Sequence, residues 1–447
     1  MKPFAAPNAG LADIDLLIRP EWIIPIEPAG VTLSAHSLAI SDGNIVALLP
    51  NEEALQRFNP QQTLELPGQV LLPGLVNLHT HAAMSLLRGY ADDLALRRWL
   101  TEHIWPAEAR HATPDFVHAG TLLACAEMLR GGITTFNDMY FFPEAAASAA
   151  RRMGMRAVLG IIAIEFPTRY AADADDYLAK GLALRDALSG DPLLSFCLAP
   201  HAPYTVADKT FEKIGTLAAQ LEIPIHMHVH ETRHEIEESL TQHGVRPIER
   251  LHRLGLLGPQ LIAVHAVHLE AGEIDLLTHE GCHLAHCPTS NLKLGSGIAP
   301  MSAILAHGLN FGLGTDGAAS NNRLDLFQEM RHAALLAKGA SQNAEILDAH
   351  KTLHGATLGG ARALGLEGRI GSLLPGKAAD LCAVRLDEWL VQPCFDPASH
   401  LVYVAGREQV THTWVAGMLV MSNGAPLQIN IPELLDIAGL WHTRLTS

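Results

Sequence analysis

Positive charge is scarce in this 447-residue chain: 31 Lys and Arg face 47 Asp and Glu, a net charge of −16. Such a balance argues against nucleic acid or an anionic membrane surface as partner. No stretch approaches the roughly 20 apolar residues of a membrane span. The opening segment, MKPFAAPNAGLADIDLL, has no apolar h-region, so no signal peptide is expected. The six cysteines (Cys125, Cys197, Cys282, Cys287, Cys382, Cys394) form no C-x-x-C pair. They read as free thiols of a cytoplasmic protein, including Cys282 and Cys287 despite their closeness. Internal repeats and low-complexity stretches are also missing. Histidine, in contrast, is abundant, with 25 residues.

The length suits one large domain with a smaller companion. Residues 1–70 read as short strands, with a turn at Ser41-Asp42-Gly43, and residues 371–447 repeat that style, with a turn near Gly417. Neither flank has enough strands to stand alone, so both are expected to combine in one small β-sandwich domain. Between them, across 71–370, helix-like segments alternate with short apolar runs. The pattern predicts an α/β fold, a distorted (β/α)8 barrel with insertions.

The polar residues in those runs fall at their ends. His79 and His81 end LPGLVNLHTH, and His201 follows LLSFCLAP. His228 and Glu231 close IPIHMHVHE, His265 and His268 close LIAVHAVHL, and Asp316 closes LNFGLGTD. In a β/α barrel the C-terminal strand ends meet at one mouth. Residues i and i+2 of a strand share a side, so His79 and His81 can face one ion. Recurrence of metal-ligand types at successive strand ends points to a metal site. His226, His228 and His230 all fall on one face, and spacing alone does not choose between the last two. His268 suits support of the site as well as action in it, and Tyr204 suits packing.

LPGLVNLHTH, the H-x-x-E-T of His228–Thr232, AVHAVHL and LGTDGAASNN together resemble the amidohydrolase superfamily. NLHTHAAMSLLRGYADDLALRRWL, Glu108 in WPAE, and NLKLGSGIAP resemble its methylthioadenosine/S-adenosylhomocysteine deaminase branch. SDGNIVAL and GSLLPGKAADL extend the likeness to the flanking β domain. The resemblance implies one Zn²⁺ per chain, held by His79, His81, His228 and Asp316. Two-metal relatives need a lysine after the fourth strand, where SFCLAPHAPY carries His201 instead.

The same resemblance implies hydrolytic deamination of an adenosine-type nucleoside, with 5′-methylthioadenosine preferred. Glu231 would protonate ring nitrogen 1, His265 would steady the attacking water, and Asp316 would take its proton. Glu231 thus counts as both a catalytic and a substrate-binding residue. Glu108 would hold the ribose hydroxyls and His201 would touch the nucleoside, with Trp99, Met84 and Leu87 as an apolar wall. Relatives competent with S-adenosylhomocysteine carry an Arg at a position read here as Ile161, leaving Arg169 as the nearby cation. S-adenosylhomocysteine is therefore expected to be a poor substrate and adenosine a lesser one. Relatives are often dimers or tetramers. Two alternatives stand beside this reading: a guanine or cytosine deaminase or triazine chlorohydrolase on the same scaffold, and a non-catalytic amidohydrolase-like protein.

Overall fold

The computed structural model describes residues 11–446, so residues 1–10 of the opening segment read above for a signal peptide lie outside the described residues. The N-terminal flank supplies β1 (Ala12–Ile23), β2 (Leu33–Ser34), β3 (His36–Ser41), β4 (Asn44–Pro50) and β5 (Phe58–Pro73). The β3–β4 hairpin turns on Asp42 and Gly43, both at positive φ (48° and 75°), which is the main-chain twist a tight hairpin requires.

Eight parallel strands follow in sequential order: β6 (Leu75–Thr80), β7 (Ile133–Asp138), β8 (Arg156–Ala163), β9 (Leu194–Pro200), β10 (Ile225–Val229), β11 (Leu261–His265), β12 (His283–His286) and β13 (Asn310–Leu313). β6, β7 and β8 are buried along their whole length, as expected of strands covered on both faces. The seam between β13 and β6 is joined by Asp316 N donating to His79 O (2.9 Å) and Thr315 N donating to Asn77 Oδ1 (2.9 Å).

The chain then returns through β14 (Leu381–Arg385), β15 (Val410–Val415), β16 (Met418–Ser422) and β17 (Ala425–Pro426). These join the N-terminal strands in one nine-stranded mixed sheet, in which β14 pairs antiparallel with β5. The two flanks therefore do form one small β unit. It is fixed to the barrel base through Arg156, whose Nε and Nη2 donate to Asp380 Oδ2 (2.8 Å) and Oδ1 (3.0 Å). Two later segments pack on the barrel instead of the sheet. Helix Pro397–Tyr403 joins the main core. Trp441, on the final helix Ile431–Thr446, meets Phe116 edge to face.

The helix Pro114–Arg130 shows how local signals build the wall around the site. Thr113 caps it by accepting from Phe116 N, Pro114 sits in the first turn, and Gly131-Gly132 ends it. Gly120 in its middle lets the helix approach the Ala83 carbonyl, where a Cβ would sit only 2.2 Å away. That close approach presses the segment after His81 against the barrel.

Candidate metal centre and substrate cavity

At the C-terminal ends of the strands the expected residues converge. His79 ends in β6, His228 lies in β10, His265 ends β11, and Asp316 follows β13. His79 Nε2 and His81 Nε2 lie 3.3 and 3.2 Å from Asp316 Oδ1. His228 Nε2 lies 3.3 Å from His79 Nε2. Ligand atoms of His79, His81 and Asp316 all fall within 4.8 Å of one another, as do those of His79, His228 and His265. Asp316 and His265 have left-handed backbones (φ 61° and 68°), a conformation that costs a non-glycine residue of order 1 kcal/mol or more and collects at functional sites.

Each imidazole is oriented from behind. His81 Nδ1 donates to Met139 O (2.6 Å), and His228 Nδ1 donates to His201 O (2.7 Å). His79 Nδ1 meets His226 Nε2 at 3.0 Å, and His265 Nδ1 meets Asn291 Oδ1 at 2.9 Å. Ser290 Oγ donates to Asp316 Oδ2 (2.6 Å), and Gly317 N donates to Oδ1 (2.7 Å). With the Nδ1 atoms occupied, the Nε2 atoms are left to point at one spot. Such outer partners fix the tautomer and ring plane of metal-binding histidines.

Electrostatics agree. Burial pushes His79 down to about 4 and His228 well below its ordinary value, so neither carries charge at neutral pH. Burial also works against a charged His81, but the Asp316 carboxylate outweighs it and holds that imidazole up to about 9. Burial likewise opposes the Asp316 anion, and His79 and His81 hold it well below the carboxylate range. The neutral His79 and His228 and the Asp316 carboxylate, with a proton on His81 that a divalent cation would replace, make a buried donor set suited to such an ion. The residues fit zinc.

The neighbouring histidines divide. His230 has φ 55°, which turns it off the shared face; its Nε2 accepts from Ile248 N (3.2 Å). Of the three histidines on this strand, His228 thus faces the ion, His226 stands behind His79, and His230 points away. His268 Nε2 donates to Ser296 O (2.8 Å), and Ser296 Oγ in turn donates to Glu231 Oε1 (3.2 Å), so His268 supports the loop that holds Glu231. Glu235 accepts from His230 N and Glu231 N (2.8 and 2.9 Å), fixing the turn from the other side.

A cavity of about 480 Å³ opens over this cluster, lined on the metal side by His81, His228, His265, Asp316 and Glu231. Glu231 is buried, which raises its affinity for a proton, and its Oε2 lies 3.8 Å from His265 Nε2. His201 faces the same space with its Nδ1 on Thr205 Oγ1 (3.0 Å); burial lowers it to about 3, so it is neutral. The lining also includes Glu108, Trp99, Met84, Tyr140 and Tyr204. Burial raises Glu108 to about 7.

Two expectations need correction. Leu87 is 1% exposed and packs in the core, outside the cavity lining. Ile161 points outward against Gly181, where an added Cβ would meet its Cγ2 at 2.3 Å; Ile162 and Ile164 line the cavity instead. A slip of one residue moves a strand side chain to the opposite face. Arg169 does reach the cavity, and its Nη1 donates to Arg110 O (2.8 Å).

Sequence reasoning missed the supports His226, Ser290, Asn291 and Ser296, as well as Tyr140. The CPTSN stretch before NLKLGSGIAP is the one local signal that could have exposed Ser290 and Asn291.

Comparison with known proteins agrees with this geometry. The sequence profile of the amidohydrolase family matches residues 70–420. The chain is 44% identical over 432 residues to 5-methylthioadenosine/S-adenosylhomocysteine deaminase of Teredinibacter turnerae, covering 97% of this chain and 98% of that one. It is 48% identical to the crystal structure of an adenosine deaminase from Xanthomonas campestris with bound zinc, with a TM-score of 0.96 and coverage of 98% and 99%. A triazine hydrolase variant is 25% identical, with a TM-score of 0.87 and coverage of 95% and 99%. The shared fold, the zinc-fitting mouth and the profile match over most of the chain lead to one conclusion: the protein belongs to the amidohydrolase family.

Proposed function

We propose that the protein hydrolytically deaminates adenosine-type nucleosides, with 5′-methylthioadenosine the preferred substrate, giving the inosine analogue and ammonia. One observation carries the reading. The cavity is lined both by Glu231, buried beside the metal ligands so that its affinity for a proton rises, and by a second carboxylate, Glu108.

His79, His81, His228 and Asp316 would hold the zinc. The ion would supply a Lewis acid that makes water a competent nucleophile near neutral pH. Asp316 would accept the water's proton. Glu231 would give its proton to ring nitrogen 1 as the water oxygen bonds to carbon 6. The carbon–nitrogen bond to the amino group would then break, ammonia would leave with the proton taken from water, and the proton left on the new hydroxyl would return to Glu231 as the ring carbonyl forms. His265, steadied by Asn291, would orient the water. A general acid must be protonated before it acts, and burial of Glu231 favours that state.

Glu108 would accept from the ribose hydroxyls, since a carboxylate suits two neighbouring O–H donors. The Trp99 indole N–H also lacks a hydrogen-bond partner among the described residues, which suits a substrate contact. Ile162, Ile164, Trp105 and Phe166 give the cavity apolar surface for a methylthio group. The strand positions that could carry a carboxylate-binding cation hold isoleucines, so S-adenosylhomocysteine would be a poor substrate. A cytoplasmic homo-oligomer is part of the same reading; light scattering tests the assembly.

A substrate panel tests the function. Zinc-loaded protein is assayed by loss of adenine absorbance with 5′-methylthioadenosine, adenosine and S-adenosylhomocysteine, and in parallel with guanine, cytosine and a chlorotriazine. The highest kcat/KM is expected for 5′-methylthioadenosine. Silence on all adenosines with turnover of a free base or triazine would overturn the assignment.

A further inference from the structure

Tyr140 has no role in the account so far. It follows β7, is 3% exposed, and lines the cavity. Its hydroxyl has no partner in good hydrogen-bond geometry among the described residues. The group it does face is the Glu108 carboxylate, reached from a different element, the helix Trp105–His111. No other hydrogen-bond donor addresses that carboxylate among the described residues. A hydroxyl and a carboxylate that face each other on the wall of one cavity, with one proton between them, leave further acceptor capacity for a ligand.

A tyrosine hydroxyl both donates and accepts, whereas an ionised carboxylate only accepts. When the Tyr140 hydroxyl donates to one Glu108 oxygen, two acceptors remain side by side: the other Glu108 oxygen and the Tyr140 oxygen. Two adjacent O–H donors match them. We propose that Tyr140 is a second binding residue for the sugar. It pins the Glu108 carboxylate and accepts a hydrogen bond from one of the two vicinal hydroxyls, while the other hydroxyl donates to Glu108. The proposal rests on the nucleoside reading above and extends it to a residue outside the recognised motifs. It makes the site selective for a ribose over either deoxyribose, through two separate groups.

The test is kcat/KM of wild type and Tyr140→Phe on three matched substrates: the ribonucleoside, its 2′-deoxy analogue and its 3′-deoxy analogue. Wild type is expected to favour the ribonucleoside over both analogues by about tenfold or more, the scale of one net hydrogen bond to a charged group. In Tyr140→Phe the preference should vanish at one sugar position and persist at the other. Activity on the analogue lacking the Tyr140-bound hydroxyl should fall less than activity on the ribonucleoside, the common part of the loss being that of the unpinned Glu108, and an unchanged zinc content and thermal midpoint serve as the folding control. Equal loss on all three substrates, or unchanged preferences, would overturn the role of Tyr140 and leave the nucleoside reading intact. In the Glu108→Gln variant, preference at the other sugar position should fall, and retention of both preferences there would also count against the proposal. Inactivity of wild type on every adenosine would overturn the nucleoside reading and this proposal with it.

Discussion

Two buried polar clusters lie at opposite ends of the barrel strands, and they are built in opposite ways. At the base, the Arg156 guanidinium grips Asp380 through two hydrogen bonds, with side-chain exposures of 2% and 1%. Asp380 also accepts from Ala416 N (2.7 Å), and Arg156 donates to Pro192 O (2.9 Å). Charge is matched and the hydrogen bonds are made. At the mouth, histidines and a carboxylate present lone pairs to one another, and the cavity lining holds a Trp99 indole N–H with no partner among the described residues. The base is complete within the polypeptide; the mouth is complete only with a cation and a substrate. A cluster that stabilises the fold closes on itself, whereas a cluster that works leaves valences open.

The largest effect should come from emptying the mouth. Chelation is expected to abolish turnover and lower the thermal midpoint, and added zinc should restore both, because ligand binding to the folded state alone stabilises it. Full turnover in metal-free protein would erase the contrast. The base should respond in stability only. Asp380→Ala leaves a buried guanidinium unpaired, which costs about 3–5 kcal/mol. Denaturant melts should show that loss, while kcat/KM of the surviving folded protein at low temperature stays near wild type.

A smaller effect is expected one layer behind the metal ligands. Asn291→Ala frees His265 to rotate and should lower activity by about 10–100-fold, with zinc content unchanged. A matching fall in zinc content would recast Asn291 as a determinant of metal binding. The smallest effect concerns pH. Glu108 is raised to about 7 by burial, so below that pH it carries a proton and loses acceptor capacity. KM for a ribonucleoside should therefore fall a few-fold as pH rises through about 7, and Glu108→Gln should flatten that dependence.

Much of the mouth was readable from the sequence because strand periodicity and barrel topology are strict. His79, His81, His228, His265 and Asp316 stood at strand ends, and strand ends converge. Spacing alone did not separate His228 from His230, since the backbone reversal at His230 (φ 55°) has no spacing signature. Ile161 was misplaced by one position, and in a strand that inverts the side. Ser290, Asn291 and Tyr140 lie in segments beyond strand ends, where loop geometry decides what meets what. The flanking sheet was legible as strands and turns at Asp42-Gly43 and Gly417. The return of the final helix to the barrel through Trp441 was not, because a pattern of apolar residues does not name its partner.

The central claim is that the mouth holds the metal and Glu231 moves the proton, as separable tasks. The direct measurement is zinc stoichiometry and turnover of 5′-methylthioadenosine in wild type and Glu231→Gln side by side. The account predicts one zinc per chain in both proteins and, in the variant, turnover lower by about 10²–10⁴-fold. Undiminished turnover in a fully zinc-loaded Glu231→Gln protein would contradict it.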